Sequence, residues 1–133
     1  MSYNYVLDAS ALIAFLRQER GYEEVGALIP DACMCTVNLS EVVAHFLYAG
    51  TTLDEVKHML GKVPLDYISA DEALSIEAGV LRVGTDKAGL SMGDRYCLAL
   101  AKSENATAVT SDQPWQSLPE SLGVKIQFFR SHD

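Results

Sequence analysis

Four acidic residues stand at the edges of apolar stretches: Asp8 in YVLDASALIAFL, Glu41 in TVNLSEVV, Asp94 in LSMGDRYCLALA and Asp112 in AVTSDQPW. A carboxylate next to buried chain is costly to desolvate, and it persists where it accepts hydrogen bonds or meets a cation. Two kinds of work are open to such residues. Singly, each can serve the backbone: Asp8 or Ser10 as a helix cap, Asn38 with Glu41 and Ser91 with Asp94 as capping boxes, Asp112 before Pro114 as a turn. Together, converging carboxylates repel one another by several kcal/mol at the effective dielectric of a partly buried site. A hard divalent cation neutralises them, and Mg2+ or Mn2+ keeps waters that leave room for a phosphate oxygen and an attacking water.

The elements that must position these acids follow from apolar periodicity. Strands are predicted over residues 3–8, 33–37, 67–69, 107–110 and 124–129, and helices over 10–17, 22–29, 39–48, 53–60, 72–83 and 92–103. Strands alternating with helices predict an α/β protein whose parallel sheet is covered on both faces. Such sheets bind ligands beyond the carboxyl ends of their strands. Asp8 and Asp112 fall at such ends, and Glu41 and Asp94 fall in the first turns of helices, so four distant segments can meet at one edge.

At 133 residues, with no repeat, low-complexity tract or linker, residues 1–133 are expected to form one domain. Mean hydropathy is close to zero. No apolar run approaches the roughly 20 residues of a membrane helix, and Asp8 interrupts any secretory signal, so a cytoplasmic protein without membrane partners is expected. Cys33, Cys35 and Cys97 are an odd set within apolar segments, expected as buried thiols rather than half of a metal site. The formal net charge of −8 argues against tight non-specific nucleic-acid binding and suits a basic protein partner.

The four motifs, in this order, resemble those of PIN-domain ribonucleases, and among them the VapC toxins of type II toxin-antitoxin pairs; the likeness runs from Tyr5 to the closing LGVKIQFF. The resemblance implies a three-layer α/β/α sandwich with a central, mostly parallel sheet. It also implies a Mg2+ or Mn2+ site, endonucleolytic cleavage of RNA leaving a 5'-phosphate, homodimers, and inhibition by a cognate antitoxin. Matched motif by motif, the family's acids fall on Asp8, Glu41, Asp94 and Asp112, and Ser10 takes the place of its hydroxyl residue. Asp8 and Asp94 are then expected as the main metal ligands, with Glu41 and Asp112 supporting.

Other residues have plainer explanations. His45 shares a helix face with Glu41 but has no metal-binding motif, and His58 and His132 have no partner in the sequence. Trp115 can stack on a base or anchor a loop to the core, the latter being commoner. Arg17, Lys87 and Arg95 lie near the motifs and can touch phosphate or simply face solvent. Two alternatives stand beside the toxin: an RNA-processing PIN nuclease that is no toxin, and a receiver-like phospho-Asp module. The latter is disfavoured, since Asp8 is followed by Ala9 and Ser10 rather than a second acid.

Overall fold

The apolar run before Asp8 forms β1 (Tyr5–Leu7), the middle strand of a five-stranded sheet in a computed structural model that describes residues 2–130. The chain continues through α1 (Ala9–Arg17), α2 (Tyr22–Leu28), β2 (Ala32–Cys35), α3 (Thr36–Tyr48) and α4 (Leu53–Gly61). It then forms β3 (Asp66–Ile68), α5 (Glu72–Val80), α6 (Met92–Glu104), β4 (Thr107–Thr110) and β5 (Lys125–Phe128). The strand order is β3-β2-β1-β4-β5 and every pairing is parallel. The sheet is thus wholly parallel where the resemblance implied mostly parallel.

Alternation along the strands divides the core in two. Val6, Cys33, Cys35 and Ala108 point to one face, where Leu74 and Ala78 of α5 and Cys97 to Ala101 of α6 cover them. Leu7, Met34 and Val109 point to the other, beneath Leu12 of α1, Val25 of α2, Val42 and Phe46 of α3 and Val56 of α4. These are the layers of an α/β/α sandwich. The three cysteines are free and buried, as expected. Among the described residues no helix is long and apolar enough to cross a membrane.

Most boundaries fall within two residues of the sequence-based expectation, and two, the start of α3 and the end of α5, differ by three. The strand expected over residues 33–37 ends at Cys35, and α3 starts at once with Cys35 as N-cap. The β2–β3 ladder ends at the Cys35–Ile68 pair, so β-branched Thr36 has no ladder partner, and its hydroxyl accepts from the Ala70 N–H instead. Asn38 therefore lies inside the helix and is no capping-box residue. The helix expected over residues 72–83 ends at Val80, and the turns beyond it reach Gly84 at φ +92°, a conformation that favours glycine.

Candidate metal centre at the carboxyl edge of the sheet

Asp8 follows β1 directly and caps α1, its Oδ1 accepting from the Ala11 N–H at 2.9 Å. The Ser10 hydroxyl donates to the same oxygen at 2.6 Å, and the Thr110 hydroxyl donates to Oδ2 at 2.5 Å. Each hydroxyl also accepts a main-chain N–H from the turn after β4: Ser10 from Ser111, Thr110 from Asp112. Two hydroxyls thereby stitch the end of β1 to the end of β4, with Asp8 only 3% exposed between them.

On the other side, Asp94 sits in the first turn of α6. Ser91 and Asp94 form a full capping box, the Ser91 N–H donating to Asp94 Oδ2 and the Asp94 N–H to Ser91 Oγ. Glu41 is one turn into α3. The buried Asn38 amide nitrogen donates both to Glu41 Oε1 at 3.0 Å and to the Gly93 carbonyl at 3.1 Å, which joins α3 to α6. Asn38 Oδ1 is buried without a partner, which costs about 1–3 kcal/mol. Glu41 is exposed as a residue, yet its carboxyl end lies so close to α6 that a Cβ on Gly93 would collide with both oxygens.

Asp8, Ser10, Asn38, Glu41, Ser91, Asp94 and Asp112 line one cleft of about 290 Å³. The four acids expected to converge do so, and two of them cap helices as well, so capping and convergence are not alternatives at Asp8 and Asp94. Asp112 precedes the short 3-10 helix Gln113–Ser117 and makes no cap with its side chain. Larger hollows lie elsewhere: one of about 390 Å³ has Lys125 as its sole charged lining residue, and one of about 450 Å³ is lined by Phe15, Leu16, Tyr22, Met59 and Val63. Neither gathers acids.

The electrostatics of the cleft are those of crowded, partly dehydrated carboxylates. Burial pushes the Asp8 carboxyl from 3.8 up to about 7, overriding the hydrogen bonds from Ser10, Thr110 and Ala11, and the charge of Asp112 adds to the rise. Burial also raises Glu41 and Asp112; Asn38 opposes the rise at Glu41, while Asp94 adds to it at both. An oxygen-only donor set in which burial and mutual repulsion disfavour the charged forms fits a hard divalent cation. Among the described residues, no three His, Cys, Asp or Glu side chains close around a single point.

The remaining polar residues point elsewhere. Arg17 ends α1, roughly 13 Å along the axis from its Asp8 cap, where it donates to His45 Nε2 and lies over the Phe46 ring. Arg95 donates to the Ala78 carbonyl, and Lys87 and His58 are exposed on other segments. Trp115 is 1% exposed within the core beside α6, so it anchors its loop and does not present a face to a base. His132 lies outside the described residues. Thr110, Asn38 and Gly93 are site residues that no sequence motif marks; the "TSD" that closes β4 is the one available hint, a hydroxyl two residues before an acid at a strand end.

A parallel sheet whose carboxyl edge collects acids from β1, α3, α6 and the turn after β4 defines a doubly wound α/β protein with an acidic cleft. The chain belongs to the PIN domain family, whose model matches residues 5–120. By sequence, no curated protein matches it. Its fold is similar to that of DNA-bound VapBC from Salmonella typhimurium, at TM-score 0.76 and 16% identity over 96% of this chain and 98% of that one. A toxin-antitoxin complex from Klebsiella pneumoniae gives TM-score 0.73 and 14% identity, over 97% and 100%. VapC20 from Mycobacterium tuberculosis, a sarcin-ricin loop cleaving toxin, gives 0.66 and 14%, over 88% and 98%. At such identities the likeness is one of fold. Membership of the PIN family sets aside the receiver-like alternative.

Proposed function

We propose that this chain is a metal-dependent endoribonuclease, the toxin of a type II toxin-antitoxin pair. Asp8 and Asp94 are the main ligands of a Mg2+ or Mn2+ ion, and Glu41 and Asp112 support the metal, its waters or a second ion. The observation that carries this is the convergence of the four acids on one cleft at the carboxyl edge of a PIN fold. When bound, the cation supplies charge neutralisation, polarisation of the phosphodiester and a lowered pKa for water.

The chain's own groups do the rest. Three donors fix the Asp8 carboxylate, so it meets a ligand without reorganising. Asp94 is held through Oδ2 by the Ser91 cap, which leaves Oδ1 for the cleft. Asp112, whose side chain makes no cap, is suited to orient the attacking water, and its raised pKa helps it take a proton.

The proposed partners follow from charge and exposed apolar surface. A chain of net charge −8 suits an antitoxin with a basic segment that offers Arg or Lys to the cleft. A homodimer is proposed through the outward side of α5, where Ile76 and Val80 are exposed; Val83 and Met92 are exposed in the segments that follow.

Purified protein should cut a structured RNA with Mg2+ or Mn2+, leave a 5'-phosphate and stop in EDTA. Cleavage undiminished in EDTA after metal stripping refutes the metal mechanism. Expression alone should arrest growth, and Asp8→Asn or Asp94→Asn should relieve the arrest. Cleavage without growth arrest, and without a small co-purifying partner, assigns the chain to RNA processing instead.

A further inference from the structure

The clasp between α3 and α6 takes the proposed function one step further, and its purpose rests on that function. The two atoms that meet the Asn38 amide nitrogen, Glu41 Oε1 and the Gly93 carbonyl oxygen, can only accept, so the orientation of the amide is forced. Against the same carboxylate stands bare backbone: any side chain at Gly93 would begin in collision with both Glu41 oxygens. Glu41 is thus drawn in by one residue and admitted by the other.

Both residues are otherwise poor choices. Asn and Gly are weaker helix formers than Ala, and both lie in the first turns of helices without being their caps. Asn38 is buried at 1% exposure with its Oδ1 unpaired. Helix stability alone would select neither.

The geometry points to Asn38 and Gly93 as positioning residues: together they hold the Glu41 carboxylate against the first turn of α6, so that Glu41 and Asp94 face the cleft as one unit and divalent-cation binding depends on the clasp. Neither residue needs to touch the ion. Asn38 acts through its hydrogen bond to Glu41, and Gly93 through the space it leaves for both Glu41 oxygens.

The test is a mutant cycle in the full chain: Gly93→Ala, Glu41→Ala and the double variant, with Asn38→Ala and Asn38→Ser beside them. Two readouts are needed, neither of them catalytic: the melting temperature without metal, and Mn2+ binding followed by loss of the free-ion EPR signal. Gly93→Ala should lower the melting temperature of the wild type by a few degrees at most, because the end of the Glu41 side chain can swing aside and gives up only its bond to Asn38, and should not lower that of Glu41→Ala, where the crowding oxygens are gone. Mn2+ affinity should fall roughly 10- to 100-fold in Gly93→Ala and in Asn38→Ala, the usual cost of removing a group that orients a ligand. Asn38→Ser, which keeps a donor, should recover part of it, and Gly93→Ala should cost nothing further once Glu41 is Ala.

Equal losses in both backgrounds, or wild-type affinity in Gly93→Ala, overturn the positioning role while leaving the nuclease intact. A wild type that binds no Mn2+, with the melting cycle still coupled, overturns the metal function and reduces the clasp to a structural contact.

Discussion

Replacing Asp8 with Asn should stabilise the metal-free protein at neutral and alkaline pH and change little in acid. The folded Asp8 carboxyl holds its proton up to about pH 7, against 3.8 for a free one. Between those values the folded state binds a proton that the unfolded state has lost, so stability falls as pH rises through the window. At about 1.4 kcal/mol for each pH unit, the wild type gives up about 4 kcal/mol between acid and pH 8. Asparagine has no charge to bury, and its oxygen can still accept from Ser10 and Ala11. The Thr110 hydroxyl loses its acceptor, at about 1 kcal/mol, so the net gain at pH 8 is about 3 kcal/mol. That corresponds to a melting temperature roughly 10 °C higher for a chain of this size. Glu41 and Asp112 titrate in both proteins, so the difference between the two curves reports Asp8 together with its coupling to Asp112. Urea unfolding of both in EDTA from pH 4 to pH 8 measures it, and a repeat in excess Mg2+ should restore the wild type alone. Curves that stay parallel across that range refute the reasoning, because they mean the buried Asp8 charge costs the fold nothing.

Other consequences are as specific. Asp94→Asn keeps an oxygen for the Ser91 N–H, so its melting temperature in EDTA should stay within a few degrees of wild type. Its Mn2+-supported cleavage should nevertheless fall at least about 100-fold, with Glu120→Gln as an unaffected surface control, both scored on labelled RNA. Thr110→Val removes the donor to Asp8 and the acceptor of the Asp112 N–H, and should cost about 1–3 kcal/mol by urea titration. That loss should be larger at pH 8 than at pH 4, since the charged carboxylate needs the bond more. Trp115→Ala should cost about 3–5 kcal/mol in the same assay, and Trp115→Phe much less, because the indole N–H has no partner to lose.

The sheet was legible because its strands are short apolar runs between helical periods, and Asp8, Glu41, Asp94 and Asp112 were legible because each interrupts or closes such a run. Less visible was that Asp8 and Asp94 cap helices and line the cleft at once; a capping pattern in sequence does not show where the second carboxylate oxygen points. The start of α3 was misplaced because Thr36 and Val37 favour strands, and the loss of ladder partners after Cys35 decides the matter in three dimensions. Asn38, Gly93 and Thr110 could not be recognised, since what gives them meaning lies far off in the chain. Asn38 meets Gly93 across 55 residues and Thr110 meets Asp8 across 102. Locally they are an unfavourable helix residue, a helix glycine and an ordinary strand threonine.

The separation of Asp8 from Thr110 also sets a timetable. As the ribosome extends the chain, Asp8, Glu41 and Asp94 have all been made by the time α6 ends at Glu104, yet β4 has not. Until β4 slots in beside β1, the strand edge is unpaired, the Asp8 carboxylate lacks the Thr110 hydroxyl and Asp112 does not exist. Closing so distant a contact is a late and slow event in folding. The cleft of a protein proposed to cut RNA is thus completed only when β4 and the turn that carries Asp112 have joined the sheet.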